Sequence, residues 1–425
     1  MGKRKSFRIL GVLALALVLL LSLAACAGQT ATPAPAPQAT TAPAAPQPTT
    51  APPAEKATAA PATPQAAAAP AAAKAPSTAQ SDWDKWKAEY DAEIARLADD
   101  ARKAGGKLVV LFGPAIPEQE DATKKYFKEK WGIEVTSLNT NATQNMAKME
   151  AELAAKKVMA DYFESGPAAH FPFSLKADFF LDYAPPAALE PGVKWALHPL
   201  DPGKEPALAK LGNAIIYKDY AIYGAAINSN LVPANRIPKG WDDLLDPFWK
   251  GKMLYYDPRV TGSGNSWFTQ MYKLKGEDFV RKFFSNGVTL VRDIPVGVRQ
   301  VATGEFAMLF GASSKWLAGF ADTPIKLVDP GVMLPVLGTS SIIKGGPNPS
   351  AAKLYQNFLV SKDGQEIQMR YGDKPPIRLD VKPLSDLHDL TKWNLLKPFT
   401  YDDEIVQKPK MRETATKLLT ELGFK

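Results

Sequence analysis

Residues 107–156 read KLVVLFGPAIPEQEDATKKYFKEKWGIEVTSLNTNATQNMAKMEAELAAK. The apolar run from Lys107 to Phe112 stops at Gly113-Pro114, which predicts a strand buried on both faces. A helix is predicted around Asp121–Lys130, then a second strand over Ile133–Leu138. Asn139-Thr140-Asn141 closes that strand and offers caps to a second helix, from about Ala142 to Lys156. Strands joined through a helical crossover run parallel. The order strand, helix, strand, helix therefore predicts an α/β fold with a largely parallel sheet. In such sheets ligands sit beyond the carboxyl ends of the strands, at helix amino termini.

Upstream, Asp82–Lys103 has helical spacing. Trp83, Trp86, Tyr90, Ile94 and Leu97 recur three or four apart, and Gly105-Gly106 ends the segment. Residues 27–80 are a different material, with 35 of 54 positions Ala or Pro and no Val, Ile, Leu, Met or aromatic residue. Such a segment has nothing to bury against its chain entropy and is expected to stay extended, a spacer of roughly 170 Å at full stretch. Before it, Lys3, Arg4, Lys5 and Arg8 precede an apolar run, Ile9–Leu23, and then small residues and Cys26, the order of a secretory signal peptide. Leu23-Ala24-Ala25-Cys26 resembles the bacterial lipobox, which implies a signal peptide over residues 1–25 and lipidation of Cys26. As Cys26 is the only cysteine, the folded part has no disulfide and no thiolate chemistry.

The chain has 425 residues, 46% hydrophobic, with a formal charge of +7. The four basic residues at the start account for more than half of that excess, so the remainder carries no polyanion footprint and nucleic acid is not an expected partner. Catalytic signatures are absent. His170, His198 and His388 lie far apart without metal-ligand spacing, and there is neither a GxSxG elbow nor a GxxxxGK[ST] loop. The three histidines read as loop or internally satisfied residues, and no metal or cofactor is expected.

Four stretches carry a family resemblance: KMEAELAAKKVMADYFESG (148–166), PKGWDDLLDPFWKGKMLYYDP (238–258), GEFAMLFG (304–311) and IIKGGPNPSAAKLYQNFLVSKDGQ (342–365). Together they resemble the family 1 extracellular solute-binding proteins of bacterial ABC importers, particularly the branch with ferric-ion, thiamine and phosphonate binders. The resemblance covers about residues 105–425. It implies a two-lobed type II periplasmic-binding (Venus flytrap) fold, two α/β lobes joined by crossing strands with a ligand cleft between them. The expected organisation is a first lobe over residues 81–227, a second lobe over 228–330, and a return to the first lobe with C-terminal helices over 331–425. The chain leaves the first lobe near Tyr223–Asn228 and returns near Val328–Gly338. Two sequential domains are the alternative.

Polar loops at the predicted strand ends are the candidate ligand contacts: Gly113, Thr140, Asn141, Ser165 and Gly166 in the first lobe, Thr261, Gly262, Ser263, Arg292, Ser313 and Ser314 in the second. Glycines admit backbone amides, hydroxyls donate, and helix amino termini carry about half a positive charge, which suits an organic anion. Arg292 and Arg299 are candidate countercharges. The family's ferric binders place adjacent tyrosines after the strand equivalent to Ala307–Phe310, whereas Gly311-Ala312-Ser313-Ser314-Lys315-Trp316 stands there. Iron coordination of that kind is not expected, and Tyr255-Tyr256 reads as core packing. The resulting expectation is a monomeric, lipid-anchored extracytoplasmic receptor without enzymatic activity. It delivers a small anionic solute to an ABC permease and ATPase. The alternatives are a lipid-anchored hydrolase or lyase and a sensory ligand-binding module.

Overall fold

In the computed structural model, which describes residues 78–112, 116–139, 142–176, 178–260, 262–320, 322–331 and 333–425, the unit read from residues 107–156 forms one edge of a mixed sheet. Helix α1 (Thr78–Lys103) runs through Gly105 and Gly106, both at positive φ, into β1 (Lys107–Phe112). α2 (Pro117–Trp131) starts four residues earlier than expected, because Pro117 takes the first helical position and Glu118 and Glu120 face the amino-terminal dipole. β2 (Glu134–Asn139) follows. α3 (Ala142–Ala154) ends before Lys156, whose φ of 52° breaks the helix, and β3 (Tyr162–Ser165) leads into α4 (Pro167–Lys176). The signal segment and residues 27–77 of the Ala/Pro-rich spacer lie outside the described residues; Thr78, Ala79 and Gln80, expected to be extended, instead form the first turn of α1.

β1 alternates between two cores, which explains its unbroken apolar run. Leu108 and Val110 pack with α1, α2 and the later helix α8 (Pro349–Val360), while Val109 and Leu111 face α3 and α4. The second half of the sheet repeats this plan with β5 (Met253–Tyr256), α5 (Ser263–Ser285), β6 (Thr289–Val291), α6 (Ile294–Ala302), β7 (Met308–Ser313) and the short α7 (Ser314–Leu317). Met253, Tyr255, Met308 and Phe310 pack on Trp267, Phe268 and Phe283 of α5; Leu254 and Leu309 pack on Val298 and Val301 of α6.

Two long strands join the halves. β4 (Ile216–Asn228) pairs with β9 (Leu334–Ile342) along much of its length, and β8 (Ile325–Val328) pairs with the end of β4. The strand order is β2-β1-β3-β9-β4-β7-β5-β6. Strand direction is the consequence that matters. β9 is antiparallel to β3, β4 is antiparallel to β9, and β7 is antiparallel to β4 while parallel to β5. Ser165 therefore ends β3 opposite Thr339, which faces Tyr217, whereas Ser313 ends β7 opposite Tyr223. The two parallel sets point their carboxyl ends at each other across the stretch of β4 from Tyr217 to Tyr223, about 20 Å of strand.

After β9 the chain returns to the first half through α8 and α9 (Lys362–Gly372), α9 lying on α2. The last helix, α10 (Lys408–Glu421), does not stay there: Ala415, Leu418 and Leu419 join Trp267 and Phe283 in the second-half core. Among the described residues no helix is long and apolar enough to cross a membrane.

Candidate functional site

On the second half, the turn after β5 brings helix α5 against its own strand. Gly262 has φ 145°, and a Cβ there would sit 2.8 Å from Tyr256 Cε1; one at Gly264 would sit 1.9 Å from the Tyr256 carbonyl oxygen. Among the described residues no side chain caps α5, and the Gly262 carbonyl accepts from the Ser266 amide and hydroxyl. α6 differs, since the Asp293 carboxylate accepts from Val296 N at 3.0 Å and fills its amino terminus. Of these two helix starts, α5 is the one left open to an incoming anion.

Charge at this edge is arranged around Asp257, which is fully buried. Its carboxylate accepts from Arg259 Nε and Nη2 (2.9 and 2.8 Å) and from Arg292 Nε (3.0 Å). Burial works to raise the Asp257 carboxyl, but these hydrogen bonds outweigh it and hold it below the ordinary carboxylate range. The Arg292 side chain nevertheless stays two-thirds exposed, so its charge is oriented yet faces solvent. Arg299 lies in the last turn of α6, at the far end of that helix from the strand edge.

Ser263 is placed as read, but its hydroxyl is already committed, donating to the Gly311 carbonyl at 2.9 Å. Ser313 and Trp316 interact with the Tyr223 phenol on the crossing strand, a phenol that burial pushes up despite both contacts. The Tyr255-Tyr256 pair splits. Tyr255 is core and donates to the Gly264 carbonyl at 3.1 Å, whereas Tyr256, the last residue of β5, is half-buried at the edge. The core reading therefore fails for Tyr256.

On the first half, the Ser165 carbonyl accepts from Thr339 Oγ1 (3.0 Å), and the buried Ser165 Oγ has no hydrogen-bond partner among the described residues. Gly166 opens α4, its carbonyl accepting from the amides of Ala169 and His170. Cys26, Gly113, Thr140, Asn141 and Thr261 lie outside the described residues. Each histidine has partners: His170 meets Ser341 and Thr339, His198 accepts from Leu200 N, and His388 meets Ser385 and Asp373. Among the described residues no group of three or more His, Cys, Asp or Glu gathers around a metal position.

Between the two edges lies a polar cluster that the sequence reading missed. Lys218 Nζ is 2.9 Å from Glu164 Oε2 and 2.5 Å from Asp219 Oδ2, Lys374 Nζ is 2.6 Å from the same Asp219 oxygen, and Tyr355 OH donates to Glu164 Oε1 at 2.7 Å. The register of β4 shifts between Tyr217 and Asp219, and this bulge turns both charged residues inward. Burial, together with the Lys218 charge, pulls the Lys374 amine down to about 8 despite Asp219. Two charges, Lys218-Asp219, inside an apolar strand were the available signal.

Comparison with known proteins identifies this arrangement. The family described as bacterial extracellular solute-binding protein matches residues 127–373, more than half of the chain. An uncharacterized protein of Haemophilus influenzae is 27% identical over 281 residues, covering 64% of this chain and 77% of that protein. Among solved structures, the periplasmic binding protein AfuA of Actinobacillus pleuropneumoniae, with fructose-6-phosphate bound, has TM-score 0.57 and 22% identity over 75% of this chain and 99% of its own. Trichodesmium IdiA (FutA), in complex with iron and citrate, has TM-score 0.58 and 18% identity over 75% and 100%. The likeness is one of fold: the two facing strand sets form the two-lobed type II periplasmic-binding architecture, with a ligand cleft between the lobes.

Proposed function

This chain belongs to the bacterial extracellular solute-binding proteins, the extracytoplasmic receptors of ABC importers, and from that premise we propose that it captures a small organic anion in the cleft and hands it to a permease and ATPase. The observation that carries the anion reading is the uncapped start of α5 beside the oriented, solvent-facing guanidinium of Arg292. Ser313, Tyr256 and the edge at Ser165-Gly166 supply polar groups around it. Fructose-6-phosphate and citrate, bound in two of the similar structures, are both organic anions and agree with this reading. In the proposed organisation the first lobe spans residues 81–227 and the return after 331, the second spans 228–330, and α10 belongs with the second lobe. Gly113, Thr140, Asn141 and Thr261 remain proposed contacts on sequence grounds.

A ligand held only by the closed, folded form adds RT ln(1 + [L]/Kd), about 2.7 kcal/mol at a hundredfold excess over Kd. A screen of organic anions is therefore expected to give a hit that raises the melting temperature by a few degrees, is retained stoichiometrically and is not turned over. Arg292→Met should weaken that hit at least tenfold, as loss of a charge-assisted contact does. A screen answered only by cations or neutral sugars removes the anion reading, and turnover of the hit removes the receptor reading.

The lipid anchor rests on Leu23-Ala24-Ala25-Cys26. Cys26→Ala is expected to abolish acylation and to leave the protein soluble or as an unprocessed precursor, read by metabolic labelling with a fatty acid and by fractionation. Label retained on the alanine variant ends the lipoprotein proposal.

A further inference from the structure

Asp373 and Lys374 follow α9, which rides on the first half of the fold, yet their contacts reach elsewhere. Asp373 caps α9 in the left-handed conformation (φ 49°, ψ 43°), and only one other non-glycine among the described residues has positive φ. An ordinary helix end would use glycine here. Asp373 keeps a side chain whose Oδ1 lies 2.9 Å from His388 Nε2. The left-handed turn presents the Asp373 carbonyl to the opposite half, where it accepts from Ser314 Oγ at 3.4 Å. Ser314 is buried at the start of α7, beyond the end of β7. The next residue, Lys374, binds Asp219 Oδ2 on the crossing strand, at the bulge.

We propose that Asp373-Lys374 is a closure latch: the strained turn holds the second half through Ser314 while Lys374 fixes the crossing strand through Asp219, so the pair sets how far the cleft opens. This rests on the solute-receptor reading for its purpose, though not for its test. Both residues act as positioning residues. Opening separates Ser314 from the Asp373 carbonyl, whereas closure restores that bond at the moment the strand ends come together. His388 Nε2 lies beside the Asp373 carboxylate at this turn. The latch shifts the population of the binding-competent form, and apparent affinity scales with that population.

The test needs no solute. Spin labels at Glu129→Cys on α2 and Asp278→Cys on α5, both exposed, are placed in the full chain carrying Cys26→Ala, and the label-to-label distance is measured. The unliganded protein is expected to show a short-distance population that falls at least twofold in Ser314→Ala and in Lys374→Met. Lys374→Arg, which keeps the charge, should restore it. Lys344→Met, which breaks only an exposed pair with Asp178, should leave the distribution unchanged. Superimposable distributions in wild type, Ser314→Ala and Lys374→Met overturn the latch, as does a wild type with no short-distance population. A failed solute screen with these shifts intact would sink the anion reading alone.

Discussion

Lys218→Met is expected to lower the stability of the fold by about 3–5 kcal/mol, the usual cost of breaking a buried ion pair by removing one partner. Lys218 is 5% exposed and, among the described residues, is the only cation touching both Glu164 and Asp219, themselves 4% and 5% exposed. Burial alone would pull its amine down, but Asp219 and Glu164 outweigh burial and raise it above the ordinary lysine range. Asp219 shows the mirror image, with Lys218 and Lys374 overcoming burial to hold its carboxyl well below the usual range. A methionine of similar length fills the space and leaves both carboxylates in a low-dielectric site. Among the described residues, Glu164 would then keep only the Tyr355 hydroxyl, and Asp219 only Lys374. Urea unfolding measures the loss. Because charge imbalance causes it, Lys218→Met with Glu164→Gln should recover part of the deficit, and a double-mutant cycle reads the coupling directly. A single-variant loss below about 1 kcal/mol with an unchanged denaturant slope would mean that water already reaches the cluster.

That cluster also marks where the sequence stopped being readable. β1 was legible to the residue, because LVVLF between Gly106 and Gly113 admits a strand in a parallel sheet and little else. The crossing strand was legible only over its second part, Tyr223–Asn228. Its first part carries Lys218-Asp219, a polar pair that argues against a buried strand unless the partners are known. Those partners, Glu164 and Lys374, lie 54 and 155 residues away, and no local pattern points to them. At the candidate site, positions were legible and commitments were not. Ser263 reads as a free hydroxyl at a helix start, but its bond to the Gly311 carbonyl depends on how closely α5 packs on β7. Arg292 reads as a countercharge, and only the fold shows that Asp257 aims it. Tyr256 was not recoverable from strand alternation, since Leu254 on its face is buried too; only its place at the end of β5 leaves it half-buried.

Acid should destabilise this protein well above the range where its carboxylates titrate, and His170 is the reason. The ring is fully buried, within 4.8 Å of the Phe163 ring and 5.0 Å of the Phe180 ring by centroid, and its hydrogen-bond partners are uncharged hydroxyls. Ser341 gives its own hydrogen to the Ala214 carbonyl, so its oxygen accepts from His170 Nε2–H, and Nδ1 faces Thr339 Oγ1. With no carboxylate to offset burial, the imidazole is pulled down to about 3. The unfolded chain titrates near 6.5. Between those values the unfolded state binds the extra proton, so stability falls as pH falls, with a limiting slope of about 1.4 kcal/mol per unit and a loss of about 2 kcal/mol from pH 6.5 to 5. Depressed carboxylates such as Asp219 and Asp257 contribute only below about pH 4, since their stabilisation is lost as pH falls from the unfolded value toward the lower folded one. His198 is lowered as well, chiefly by burial, and adds to the same slope. Comparing wild type with His170→Gln cancels both contributions. The variant is expected to show a flatter dependence of unfolding free energy between pH 6.5 and 5, whatever its stability at neutral pH, and parallel curves would mean that the ring is already solvated. The ring lies next to the cleft edge, since the Thr339 hydroxyl beside Nδ1 donates its single hydrogen to the Ser165 carbonyl at the end of β3.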